Sequence, residues 1–226
     1  MYSVLRGFNP DLSIYRVGGD YYIAISTFEL YPGVQVYHSM DLVNWTLVAR
    51  PLNRAALLDM RGNPNSCGVW VPCLSHADGK SWLVCNDVKR LEGDRKDAHN
   101  YITTCDTIDC DWTDPWCVNP CGFDPSLFHD DDGRKWLANM QWKHRGAGSG
   151  VNPAYDRFGG FLLREWSPGR GLFGPAINIY PGTGCDHAVT LARSRQIAGP
   201  YEAHPKKTCH VHAGSAGSSH STHRPR

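Results

Sequence analysis

A hairpin-like unit occurs three times along this chain, and the repeat restricts the folds open to it. In each copy a short apolar stretch leads to a Gly/Asp turn and then to alternating aromatic and aliphatic residues. The copies span 9–26, 69–84 and 122–140, with turns at Gly18-Gly19-Asp20, Asp78-Gly79 and Asp132-Gly133. Because Gly and Asp supply the positive φ of tight turns and alternation suits strands, each copy predicts a β-hairpin.

A second kind of unit, again strand, polar connection and strand, follows these hairpins. Its copies begin at His38, Thr103, Leu162 and Thr190. An inner hairpin joined to an outer hairpin makes a four-stranded blade, and blades repeated every few tens of residues form a β-propeller. The sequence therefore predicts an all-β propeller. The count of three first halves and four second halves predicts that the propeller is incomplete in this chain.

Composition excludes several functional classes. The 226 residues carry 23 basic and 22 acidic side chains, a balance that gives no electrostatic basis for binding nucleic acid or membrane. The N-terminus has no apolar signal region, and no run of 18 apolar residues occurs. Nine cysteines without any CxxC spacing predict no zinc site, and scattered thiols predict a reducing, cytoplasmic location. We expect no cofactor and no metal.

The last part of the chain differs in composition. Residues 1–205 form the predicted propeller domain, whereas 206–226 are rich in His, Ser, Gly and Arg and nearly lack large apolar residues. A metal-binding role for the tail would use His210, His212, His220 and His223. Their spacing follows no ligand pattern, so the composition favours a disordered or aberrant tail.

Asp11 and Asp124 stand at the same point of two copies of the repeated unit, in the stretches DLSI and DPSL. The first strands of propeller blades converge on the axis, where ligand pockets lie. Two carboxylates in a sugar-sized cavity suit glycoside hydrolysis, in which one activates water and another carboxylic acid protonates the leaving oxygen. The alternative that both aspartates merely cap turns stays open at this point.

Several long segments resemble the bacterial β-xylosidases of glycoside hydrolase family 43. They include GFNPDLSI, GNPNSCGVWVPCLS and GFDPSLFHDDDGRKWL, and the resemblance covers about positions 4 to 205. It implies a five-bladed β-propeller and inverting hydrolysis of terminal β-1,4-xylosidic bonds in xylo-oligosaccharides, with α-L-arabinofuranosidase activity in some members. Xylo-oligosaccharide is thus the expected partner, and a homo-oligomer is compatible with the sequence.

The resemblance also implies roles for four residues. By motif, Asp11 corresponds to the general base, although Leu12 stands where the family usually has Pro. Asp124 corresponds to the carboxylate that tunes and orients the acid. Phe28 and Trp70 correspond to aromatics that line the sugar subsite, where a ring face stacks on the pyranose.

One part of the family pattern is missing. The family's general acid is a Glu in a Glu-x-Pro-His segment that opens the fourth blade, whereas here Thr183 runs directly into Gly184-Cys185-Asp186-His187. None of the four glutamates, Glu29, Glu92, Glu165 and Glu202, stands in an equivalent opening. The resemblance thus implies an internal deletion and a C-terminal truncation. Two functions follow: an impaired hydrolase, or a non-hydrolytic xylo-oligosaccharide-binding or defective remnant.

Overall fold

The computed structural model describes residues 4–92, 96–143, 158–180, 188–189, 192–203 and 209–210. Every regular element in these ranges is a β-strand, and no helix there is long and apolar enough to span a bilayer. The chain forms two compact units, Met1–Gly184 and Cys185–Arg226. The sequence places its boundary after residue 205 instead, and that division stays a prediction.

The described residues of the first unit form three four-stranded antiparallel sheets, each a meander in chain order. Sheet one contains β1 (Ser13–Val17), β2 (Asp20–Ser26), β3 (Val34–Ser39) and β4 (Thr46–Ala49); sheet two contains β5 (Gly68–Ala77), β6 (Lys80–Arg90), β7 (Asp97–Cys105) and β8 (Trp116–Asn119); sheet three contains β9 (Phe123–His129), β10 (Lys135–Trp142), β11 (Phe158–Ser167) and β12 (Gly171–Tyr180). Each sheet is one blade, which confirms the all-β propeller prediction.

The inner hairpins form where the repeat predicts them. Asp78 and Gly79 connect β5 to β6 with φ values of 56° and 71°, both in the left-handed region that a two-residue hairpin turn requires. The connection between β9 and β10 is closed by a hydrogen bond of 2.8 Å from the Asp130 amide to the Arg134 carbonyl. Local turn chemistry therefore sets the hairpin positions.

The blades pack face to face through apolar side chains. Strand β5 contacts β1 and β2, and β9 contacts β5 and β6, so the first strands of consecutive blades are neighbours. One core lies between sheets one and two, and a second lies between sheets two and three. The first contains Ala24, Val34, Val36, Val69, Leu74 and Leu83; the second contains Trp82, Val84, Ile102, Leu127, Leu137 and Trp166. Burial of these side chains is the main source of stability.

Among the residues of the second unit that the structure describes, four short strands are formed. Strand β13 (Ala188–Val189) pairs with β16 (Cys209–His210), and β14 (Ala192–Arg193) pairs with β15 (Glu202–Ala203). The described part of the tail, Cys209–His210, forms a two-residue strand, and a disordered or aberrant tail stays a prediction. Three of the tail histidines, His212, His220 and His223, lie outside the described residues.

Candidate active site

Asp11 lies two residues before Ser13, where β1, the innermost strand of sheet one, begins. Its carboxylate faces β5, where the Val71 amide donates a long hydrogen bond of 3.5 Å to Asp11 Oδ2. Burial raises the pKa of Asp11, and the bond from Val71 only partly offsets this effect. A carboxylate with a raised pKa holds a proton more strongly and is therefore a better base.

Asp124 occupies the second position of β9. Its own amide donates to Asn86 Oδ1 over 3.0 Å, which fixes the backbone at this point. The pKa of Asp124 is raised, first by partial desolvation among the surrounding protein atoms and then by the negative charge of Asp11. The side chain nevertheless remains open to solvent. The structure thus brings the two repeated aspartates into one electrostatically coupled site.

The backbone at this site is strained. Four non-glycine residues there have left-handed φ values: Asp11 (53°), Phe28 (51°), Val71 (40°) and Asp124 (53°). Each such residue costs about 1–2 kcal/mol relative to ordinary conformations. The β5 register shifts between Trp70 and Cys73, and β10 shifts against β9 between Ala138 and Met140. Strain and bulges of this kind cluster where strands position functional side chains.

A buried hydroxyl joins sheets one and two beside this strained backbone. Ser26, which is fully buried, donates to the Val69 carbonyl over 2.5 Å and accepts from the Phe28 amide over 3.0 Å. The Val69 amide in turn donates to the Phe28 carbonyl over 3.2 Å. Phe28 is thereby held against the strand that carries Trp70.

Five aromatic rings form a continuous row, which we call the aromatic arc: Phe8, Phe28, Trp70, Phe123 and Trp142. Successive ring centroids lie 5.8, 6.0, 5.9 and 6.1 Å apart. The sequence predicts only Phe28 and Trp70. Phe8 and Phe123 each follow a glycine just ahead of a site aspartate, in GFNPD and GFDPS. The repeated Gly-Phe pair could have predicted Phe8 and Phe123 from the sequence, whereas no sequence pattern marks Trp142.

Three side-chain amides, the amide network of Asn86, Asn100 and Asn119, support the segment before Asp124. Asn86 donates to Asn100 and, over 3.1 Å, to the Gly122 carbonyl. Asn100 donates to Asn119 over 2.6 Å and to the Cys121 carbonyl over 3.2 Å. Because Asn86 and Asn100 are fully buried, losing a member would leave polar atoms unsatisfied. The network therefore fixes the approach to Asp124.

None of the four glutamates stands in the first strand of a blade. Glu29 stands in the turn after Phe28, Glu92 follows β6, Glu165 lies in β11 and Glu202 lies in β15. Within the part of the chain that the structure describes, no group of three or more His, Cys, Asp or Glu side chains could hold a metal ion. The chemistry that this site offers therefore comes from the carboxyl groups of Asp11 and Asp124 and from the aromatic arc.

Asp124→Asn is expected to stabilise the protein at pH 7. Since the folded-state pKa of Asp124 lies above the ordinary value of 3.8, its charge costs stability above that raised pKa, and the cost disappears below 3.8. The gain in unfolding free energy should therefore shrink as the pH falls through the raised pKa. Urea denaturation of both proteins between pH 3 and pH 7 measures it.

Asp78→Asn is a control that should change the free energy of unfolding in the opposite direction. The hydrogen-bonded ammonium group of Lys135 lowers the pKa of Asp78, so this carboxylate stabilises the fold at neutral pH. Asp78→Asn should lose stability at pH 7 and converge with the wild type in acid. If Asp124→Asn lowers the stability at pH 7 instead of raising it, the assignment of Asp124 as a partly desolvated carboxylate is wrong.

Comparison with known proteins identifies the family. Residues 2–167 match the family described as "Glycosyl hydrolases family 43". The chain belongs to this family. Among its family 43 relatives, a protein of Humicola insolens named "Xylosidase/arabinosidase 43B" is 54% identical over 90% of this chain, and a "Beta-xylosidase" of Bacillus subtilis is 50% identical over 89% of it. This chain spans 42% of the length of each.

A solved family 43 structure shows the same fold. The xylan β-1,4-xylosidase of Bacillus halodurans superposes with a TM-score of 0.81 at 48% identity, over 90% of this chain and 43% of that protein. The propellers of such family 43 structures have five blades, and the first unit here supplies three four-stranded sheets of that architecture. The resemblance that the motifs indicate is therefore confirmed.

Proposed function

We propose that this family 43 chain acts on terminal β-1,4-xylosidic bonds of xylo-oligosaccharides as a weakened inverting hydrolase. The observation that carries the proposal is the coupled pair Asp11 and Asp124 beside the aromatic arc. Asp11 would deprotonate the attacking water, and its raised pKa suits that role. Asp124 would be the carboxylate that raises the pKa of a general acid through like-charge repulsion, but the sequence lacks the Glu segment that carries this acid.

The aromatic arc supplies a binding surface that suits a sugar. Phe28 and Trp70 are half-buried, so part of each ring stays accessible. A xylose ring has an apolar face and polar edges, and such a face packs well on an indole or phenyl ring. Because relatives named for arabinosidase or arabinofuranosidase activity also match this chain, we extend the proposal to arabinofuranosyl groups. A cytoplasmic location remains part of the proposal.

The missing acid sets the expected rate. With Thr183 joined directly to Gly184, the sequence has no Glu-x-Pro-His segment. A leaving xylose oxygen would then depart unprotonated, and general acid catalysis usually contributes about 10²–10⁴-fold. This observation favours a second candidate function, a xylo-oligosaccharide-binding protein that does not hydrolyse its ligand.

Comparing two substrates separates these functions. The purified chain should hydrolyse 4-nitrophenyl β-D-xyloside about 10²-fold or more faster than xylobiose, because nitrophenolate leaves without a proton. Product release from each substrate, measured as kcat/KM, checks this. Xylobiose binding without turnover of either substrate would establish the binding protein, and equal rates on both substrates would show that an acid is present.

A further inference from the structure

Two cysteine side chains lie close together at the end of β7 in sheet two. Cys105 is the last residue of β7 and is buried, with 3% of its surface exposed. Cys110 is exposed in the connection to β8. The two side chains interact with one another, and the chain folds back around them, since the Thr113 amide donates to the Thr104 carbonyl over 2.9 Å. The Cys110 amide donates to the Thr107 carbonyl over 3.0 Å, which folds the connection back and brings the thiols together.

The two thiols differ in reactivity. The Thr107 amide hydrogen-bonds the Cys110 sulfur, and this bond, with smaller contributions from the Thr107 hydroxyl and the Asp106 backbone, lowers the pKa of Cys110. Burial raises the pKa of Cys105 to about 12. At neutral pH, Cys110 is thus the accessible thiol with the greater thiolate fraction, and Cys105 is a protected thiol in contact with it. Redox-sensitive pairs have this arrangement of an attacking and a resolving cysteine.

We propose that Cys105 and Cys110 form an intramolecular disulfide when the protein meets a hydroperoxide. The Cys110 thiolate attacks the peroxide, the O–O bond breaks, and Cys110 becomes a sulfenic acid while peroxide is reduced to water. The Cys105 sulfur then attacks the Cys110 sulfur, the S–O bond breaks, and the hydroxyl leaves as water with the Cys105 proton. Overall, two thiols and one hydrogen peroxide give one disulfide and two waters.

The Cys105–Cys110 disulfide would crosslink the connection between β7 and β8 to the end of β7. Ile108 in this connection packs on the first core, and Asp106 forms an ion pair of 2.8 Å with Lys80. Just beyond the pair, the Trp112 carbonyl accepts from Arg54 over 3.2 Å. These contacts already hold the connection close to the core, so the crosslink requires little rearrangement. None of them belongs to the carboxylate site, and the proposal is independent of the proposed function.

Peptide mapping of the full chain tests the pairing. The reduced protein is treated with hydrogen peroxide, free thiols are blocked with N-ethylmaleimide, and the protein is cleaved on the N-terminal side of aspartates without reduction. The sequence places Cys105 on peptide 97–105, Cys110 on 109–110, and Cys117 with Cys121 on 114–123. A link of 97–105 to 109–110, lighter by two hydrogens than the two free peptides, is expected. A link that uses 114–123 instead, or no link, would overturn the proposal.

Variants separate the two roles. In Cys105→Ser the Cys110 sulfenic acid has no resolving thiol, so it should accumulate and react with dimedone. In Cys110→Ser the buried Cys105 should stay unmodified in the folded protein and become reactive only in denaturant. Cys117→Ser replaces another exposed cysteine and should still form the link. Limited alkylation at pH 7 should label Cys110 before the buried Cys105, and equal labelling of the two would contradict the assignment.

Discussion

Replacing Asp11 with asparagine is expected to lower kcat/KM for 4-nitrophenyl β-D-xyloside by about 10²–10⁴-fold. The amide matches the carboxylate in shape and can still accept the hydrogen bond from Val71, so the site keeps its geometry. It cannot accept a proton from water, and the reaction loses its general base. Initial rates of nitrophenol release for the two proteins measure the effect.

The pH dependence of kcat/KM in the wild type also tests whether Asp11 is the general base. Because burial raises the pKa of Asp11, the acid limb of kcat/KM should lie above the range of an ordinary aspartate. Asp131→Asn, an exposed substitution in the β9–β10 turn, should retain full activity. Full activity in Asp11→Asn would remove Asp11 from the mechanism.

Gly68→Ala is expected to lower the free energy of unfolding by roughly 2–6 kcal/mol. Gly68 has φ +89°, and an added Cβ would lie 2.4 Å from the Phe28 carbonyl oxygen and 2.8 Å from its carbon. Both neighbouring atoms are backbone, so they cannot move aside as a flexible side chain would. The clash pushes Phe28 away from Trp70 and should weaken sugar binding as well as stability. Urea denaturation measures the first effect.

Gly79→Ala is the matched control. Gly79 also has a positive φ, +71°, but no atom lies within 4 Å of its added Cβ. This variant therefore carries only the conformational cost of alanine in the left-handed region, about 1–2 kcal/mol. If both alanine variants are equally stable, the close approach of the two blades at Gly68 does not constrain the site.

Local sequence chemistry predicted the blades well. The Asp78-Gly79 turn and the alternation on either side of it are properties of neighbouring residues, so the hairpin could be read without knowledge of its surroundings. The pairing of Asp11 with Asp124 followed from the repeat, since corresponding positions of consecutive blades face the same axis. The aromatics Phe28 and Trp70 were reached only through the family resemblance.

Contacts that depend on register were not predictable. Trp142 joins the aromatic arc through the end of β10, beyond the shift between Ala138 and Met140, and a bulge of this kind leaves no clear pattern in sequence. Asn86 and Asn100 meet across two paired strands because of how β6 and β7 align. The cysteines were expected to be scattered thiols, and only the turn at Thr107 brings two of them together.

Titration of the wild-type chain with xylobiose in a calorimeter tests the central claim most directly, since binding requires the arc but no acid. We predict saturable binding that is lost in Trp70→Ala and retained in Trp45→Ala, a tryptophan in the β3–β4 connection. Absence of saturable binding in the wild type, or unchanged binding in Trp70→Ala, would contradict the assignment of this site to xylo-oligosaccharides.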